Sequence, residues 1–237
     1  MKTLFAWLLL LLPAAASATG TDTLNTRLYQ HAQQAPPTTN VRNLVAYLKQ
    51  GTTSERERAE IIFYWIADHI SYDCELEKQA YITPAAVSID SIMRRQKTIC
   101  SGYARLYATM AAYAGIACQT VAGTAANRFG EGMHSWNAVY INKQWLLVDA
   151  TWGSGGTVDQ TDRYVKRLDL RYLFAEPKFL VTTHLPNNSR WQLLDSPISL
   201  GTFQGILWKH RRESLYQDEV FQASTNNTST LYKKNRR

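Results

Sequence analysis

Apolar residues recur along this chain in two rhythms, one helical and then one of strands. Residues 21–34 (TDTLNTRLYQHAQQ) read as a short helix or ordered arm that Pro36-Pro37 ends. VRNLVAYLKQ reads as a second helix with Gly51 as its stop. Ser54 opens a third, with Glu57 completing a capping box. Its run ERERAEIIFYWIADHISYD carries Ile61, Ile62, Trp65, Ile66 and His69 at i, i+3, i+4 spacing, which predicts a core-facing stripe. A connector follows, with a short helix over Ser88–Arg95. SGYARLYATMAAYAG is helical again and stops at Gly115. Beyond it the period drops to two. ACQTVAGTA reads as a strand and ANRFGEG as a loop. HSWNAVYI and QWLLVDATW read as two strands joined at Asn142-Lys143. Trp191, Leu193 and Leu194 are expected to dock the following segment on the core. After Phe203 the sequence turns polar, and STNNTSTLYKKNRR has the composition of a disordered tail.

The change of rhythm gathers candidate chemistry. Cys100 stands at the start of the helical run SGYARLYATMAAYAG, where unpaired N–H groups and the helix dipole favour a thiolate. Gly102 is expected to leave the backbone open to a substrate. If Asn142-Lys143 is a two-residue turn, Ile141 faces Gln144 and Trp136 faces Asp149. His134, Trp136, Asp149 and Thr151 then share one face of the sheet. His134 and Asp149 become diagonal neighbours about 7 Å apart at Cβ. A slip of one residue would separate them. A thiol nucleophile, a base to hold its proton and an acceptor to fix the base's tautomer are the parts of a covalent acyl-transfer site.

Three words, CSGYARL, HSWNAV and WLLVDATWG, resemble the transglutaminase-like superfamily, and in particular its kyphoscoliosis peptidase-like branch with bacterial relatives. The similarity covers roughly residues 55 to 203 and includes RYLFAEPKFLVTTHLPNNSRWQLLDSPISL. It implies an α+β, papain/transglutaminase-like fold, with the nucleophile at a helix start packed against an antiparallel sheet. It matches Cys100 to the nucleophile, His134 to the base and Asp149 to the orienting residue. Gln96, four residues before Cys100, is an oxyanion candidate by analogy with papain-like enzymes, although the spacing differs. The backbone N–H of Cys100 is a donor by position. Trp136 and Trp152 flank the triad as core aromatics or as substrate walls. His69 and His184 are expected to be structural.

Composition narrows the setting. MKTLFAWLLLLLPAAASA has a basic start, a short apolar run and Ala16-Ser17-Ala18, the pattern of an export signal cleaved before Thr19. The expected organisation is a signal peptide at 1–18, a helical arm at 19–53, the transglutaminase-like domain at 54–204 and a basic tail at 205–237. The mature chain is expected to be exported, periplasmic or extracellular, without stable membrane insertion. Formal net charge is +7. Residues 205–237 hold seven Lys or Arg and three acids, so much of the excess lies in the tail and is not a nucleic-acid footprint. Of three cysteines, Cys100 is the one expected to stay free, while Cys74 and Cys118 either pair or remain thiols. Asp159 and Asp162 lack metal-ligand spacing, and neither metal nor cofactor is expected.

The leading functional expectation is a thiol enzyme acting on the amides of a protein or peptide substrate. Water as acceptor makes it a peptidase or amidase, and a lysine amine makes it a cross-linking transglutaminase. A non-catalytic binding module on the same fold is the competing class, disfavoured because a scaffold has no need of all three triad residues. An arylamine-acetyltransferase-like enzyme would share the triad, but nothing suggests a coenzyme A site.

Overall fold

A computed structural model describes residues 23–127, 130–157 and 163–209. The export signal, Asp159, Asp162 and residues 210–237 lie outside the described residues. Three helices open the chain: α1 (Thr26–Gln33), α2 (Val41–Gln50) and α3 (Glu55–His69). Each has a polar cap, with Asn25, Asn40 and Ser54 accepting from N–H groups of the first turn. At α3, Ser54 accepts from the Glu57 N–H as predicted, but Glu57 reaches back to Thr53 instead of Ser54. The stripe predicted for α3 is wider than expected: every residue from Ala59 to Ala67 is buried. This helix is therefore central, with α1 on one side of it. Tyr64 donates to Glu60 and accepts from the Asn25 N–H.

Strand β1 (Ser71–Tyr72), α4 (Cys74–Glu77), α5 (Ile89–Arg95) and β2 (Lys97–Thr98) lead to α6 (Cys100–Tyr113). The parallel bridge between β1 and β2 pairs Tyr72 with Thr98 and so fixes the approach to Cys100. Buried Asp73 reinforces it, capping α4 through the Leu76 N–H and ion-pairing with Arg95 and Lys97. The α6 helix is tied to α3 by two buried hydroxyls. Tyr103 donates to the Ile70 carbonyl at 2.9 Å and Tyr107 to that of Ala59 at 3.0 Å.

The sheet is antiparallel, in the order β8-β5-β4-β3-β9, with β3 (Ala117–Asn127), β4 (Gly130–Ile141) and β5 (Gln144–Val148) at its centre. Ile141 faces Gln144 as predicted, and Asn142 and Lys143 both take the left-handed conformation of a type I′ turn. The loop expected over ANRFGEG is mostly strand, because Asn127 pairs with Gly130 and the two residues between lie outside the described residues. After β5 come α7 (Ala150–Ser154), β6 (Gly155–Thr157), β7 (Tyr164–Lys166), β8 (Leu173–Ala175), α8 (Pro177–Leu180) and β9 (His184–Pro186). Strands β6 and β7 pair with each other outside the main sheet.

Helices, sheet and N-terminal segment share one core. Leu28, Leu44 and Leu48 from α1 and α2 sit in the same cluster as Ile62 of α3, Tyr107 of α6 and Trp136 of β4. The division expected at residue 53 thus falls inside this core. The final described segment, 200–209, is helical (α9), so the position expected to begin a polar tail lies within a helix. Phe203 and Leu207 from α9 are buried against Ala126, Leu185 and Ile198. No helix among the described residues is long and apolar enough to cross a membrane.

Candidate active site

Cys100 is the first residue of α6 and is 9% exposed. No side chain caps this helix; of its first N–H groups, that of Gly102 goes to the Ile99 carbonyl. Gly102 has another role than the expected one. A Cβ there would fall 1.9 Å from Thr98 Oγ1, so the missing side chain lets α6 close on β2 and not on a substrate. Gln96 is exposed, ends α5 in a left-handed conformation, and spends its carbonyl on the Ser71 N–H. It does not line the cavity beside His134, and the oxyanion role expected for it has no support in this position.

His134 and Asp149 do meet, by a route slightly different from the one predicted. Strand pairing ends at Asn137 with Val148. Asp149 then caps α7, its Oδ1 accepting from the Thr151 and Trp152 N–H groups at 2.9 and 3.1 Å. Those bonds turn the chain into a helix, which removes Thr151 from the face where it was expected. The other oxygen, Oδ2, stands 2.8 Å from His134 Nε2. A carboxylate only accepts, so Nε2 carries the proton and Nδ1 is turned to other partners. Cys100 acts on the same ring and helps hold a proton on it. The three predicted residues therefore form one connected line: thiol, imidazole, carboxylate.

Electrostatics agree with that line. Burial alone would push His134 down, but the Asp149 carboxylate outweighs it and Cys100 adds to it, holding the imidazole up to about 10. Burial would likewise raise Asp149, yet its two histidine partners hold it well below the usual carboxylate range.

The residue that sequence reasoning placed as structural is His184. Its Nε2 lies 3.0 Å from the same Oδ2 of Asp149, and it is 1% exposed. Strand β9 brings it there by pairing with β3, His184 opposite Ala125 and Pro186 opposite Gly123. His134 is also opposite Gly123, from the other side. Only small residues separate the two histidines on that face, and their rings approach to 5.2 Å. A Cβ at Gly123 would meet the Leu185 carbonyl at 2.2 Å. The signal in the sequence was the alternating small residues of VAGTA. It names no partner strand sixty residues away. His134, Asp149 and His184 also have the composition of a cation site. Both ring nitrogens are aimed at Oδ2 itself, so an ion would have to displace both hydrogen bonds.

A cavity of about 340 Å³ opens beside His134. Its aromatic walls are Tyr72, Trp152, Tyr164 and Tyr172, with Gly155 and Gly156 of β6 at one side and Arg167, Asp169 and Arg171 at its polar end. Trp152, read from the sequence as either a core aromatic or a wall, lines this cavity. Trp136 is a core ring, 1% exposed and packed 6.0 Å from His134. His69 stacks on Trp65 at 4.6 Å, away from the site. Cys74, Cys100 and Cys118 are thiols, with no disulfide among the described residues. Burial pushes the Cys118 thiol up to about 12.

Comparison with known proteins gives this geometry a family. Residues 42–150 match the family model for the transglutaminase-like superfamily, a span that contains Cys100, His134 and Asp149 and stops short of His184. The chain is 36% identical over 202 residues to Kyphoscoliosis peptidase of Mus musculus, covering 80% of this chain and 30% of that protein. It is 26% identical to Hillarin of Drosophila melanogaster over 187 residues, 69% of this chain and 22% of that one. It thus spans less than a third of the length of these curated relatives. A crystal structure of a TGase aligns with a TM-score of 0.42 at 21% identity, over 61% of this chain and 37% of the other. Residues 42–150, which carry the Cys-His-Asp line, are a domain of the transglutaminase-like superfamily.

Proposed function

We propose that this protein is a thiol enzyme that hydrolyses peptide amides through an acyl-enzyme. The observation that carries the reading is His134, bonded to Asp149 at 2.8 Å and held protonated with the help of Cys100, which stands at a helix start. In this reading Cys100 Sγ attacks the amide carbon and the C=O electrons move to oxygen. The N–H of Cys100 faces that oxyanion. The imidazolium of His134 gives its Nδ1 proton to the departing nitrogen as the C–N bond breaks, leaving a thioester and a free amine. Water then attacks the thioester while His134 takes a proton, and the carboxylic acid leaves as the thiol is restored. Asp149 stays ionised throughout. The aromatic cavity beside His134 offers a place for a substrate side chain.

Likeness to proteins named Kyphoscoliosis peptidase favours water as the acceptor. The export signal read at 1–18 supports a location in the periplasm or outside the cell. The decisive experiment digests a proteome-derived peptide library and identifies new termini by mass spectrometry, beside Cys100→Ala. Cleavage by the parent and none by the variant is the expected result. Isopeptide products from added amines would make it a cross-linking transglutaminase. Absence of both product classes, with no thioester trapped, would overturn acyl transfer and favour a binding module.

A further inference from the structure

We infer that His184 is a positioning residue of the triad: its Nε2–H shares one oxygen of Asp149 with His134 and so limits how strongly that carboxylate holds a proton on His134. The inference builds on the triad reading above, but its test needs no substrate.

All four acceptor positions used on Asp149 are accounted for. Oδ1 takes two backbone N–H groups, and Oδ2 takes His134 at 2.8 Å and His184 at 3.0 Å. Burial lowers the pKa of His184, so this ring is neutral and carries a single proton. A carboxylate oxygen needs that proton on Nε2. Nδ1 is then an acceptor, and Thr183 Oγ1 lies 2.8 Å from it, able to donate. The Thr183 hydroxyl also lies 3.4 Å from the Leu180 carbonyl, so it is the Asp149 carboxylate that defines the tautomer. The ring itself is clamped edge-on by Trp136 at 5.2 Å and Trp152 at 4.5 Å.

A neutral donor on a charged oxygen stabilises the anion and disperses its charge. The more of that charge His184 takes up, the less is felt by His134. An imidazole held too firmly as the cation is a poor base for the second half of an acyl-transfer cycle. His184 therefore acts on the proton of a neighbour without touching it. The other titratable groups facing the pair are Cys100 and Tyr103 on α6 and Tyr172 after α7. Tyr72, Arg167, Asp169 and Arg171 stand across the cavity.

Histidine-selective ¹⁵N NMR tests this in the Cys100→Ala protein, where the contribution of the thiol to His134 is gone. His184 should show the Nε2–H tautomer and titrate below the ordinary histidine range, while His134 titrates below the value of the parent. His184→Leu should raise the His134 midpoint by about 0.5–1 unit, and His184→Gln, whose amide can still donate, should largely restore it. A purely structural role would lower thermal stability without moving that midpoint. An Nδ1–H tautomer, or a His184 that titrates at or above the ordinary histidine range, both read in Cys100→Ala alone, would overturn the inference. So would an unmoved His134 midpoint in a folded His184→Leu protein. A chain that cleaves no peptide can pass this test, and an active one can fail it.

Discussion

Asp149 has no exposed surface and serves two histidines and a helix start at once. Asp149→Asn keeps the shape but removes the charge, and its NH₂ group can face a histidine that also donates. Turnover, or alkylation of Cys100 where no substrate is in hand, should fall on the order of 10–10³-fold. Full activity would make Asp149 structural. The pair also predicts a pH dependence of stability. His134 is raised in the folded state, so its contribution is fully present below the unfolded value of about 6.5 and drains away as pH rises toward about 10. Asp149 is depressed, so its contribution is present above about 3.9 and is lost as pH falls. Thermal midpoints measured from pH 4 to 10 should decline on the alkaline side more steeply in the parent than in Asp149→Asn. Cys118 offers a third residue-scale check. With its thiol pushed up to about 12, it should react with iodoacetamide at pH 7 much more slowly than Cys100. Equal rates would contradict the assignment of Cys100 as the nucleophile.

At the scale of elements, the site depends on two strand pairings of very different legibility. The β4–β5 register could be read from the sequence because a two-residue turn fixes it, and Ile141 does face Gln144. Helix α6 was legible for the same local reason, its apolar period and the stop at Gly115. The β3–β9 pairing was not, since it joins residues about sixty apart and β9 is three residues long. Its determinant is a space, the missing side chain of Gly123, and a space has no periodicity. The turn of the chain at Asp149 was hidden as well, because a capping aspartate and a strand aspartate look alike within LLVDATW. Gly123→Ala tests the importance of that space. The new Cβ must displace the Leu185 carbonyl, and overpacking of this kind costs about 1–3 kcal/mol. Leu185 follows His184, so the variant should also shift the His134 titration as His184→Leu does. A loss of stability with no change at His134 would show that β9 can move without carrying the ring away.

Across the whole molecule, the Cys100–His134–Asp149 line is braced from both ends of the described chain. The N-terminal helices bury α3, and α3 anchors Tyr107 of α6. From the other end, α9 packs beneath β9. Phe203 has no exposed surface and Leu207 is 6% exposed, both in contact with a cluster that includes Leu185 and Ala126. Gln192 secures the approach to this helix, its side chain donating to the Ile198 carbonyl and accepting from the Ile198 N–H. Composition alone suggested that the chain could stop at about Gly205. Leu207 lies beyond that point and is buried, so the position at which the fold can be cut should be later. Phe203→Ala should cost about 3–5 kcal/mol through the cavity it leaves. For a domain near two hundred residues, that lowers the thermal midpoint on the order of 10 °C. Leu200, 59% exposed on the same helix, is the control, and Leu200→Ser should stay within about 0.5 kcal/mol. The argument goes further than stability, because Leu185 is the neighbour of His184. Loosening α9 should widen the motion of β9 and weaken the second hold on Asp149. Alkylation of Cys100 in Phe203→Ala, measured well below its melting temperature, should therefore show an altered pH profile. A variant that melts early but alkylates with the parent's profile would mean that α9 supports the fold and leaves the site untouched.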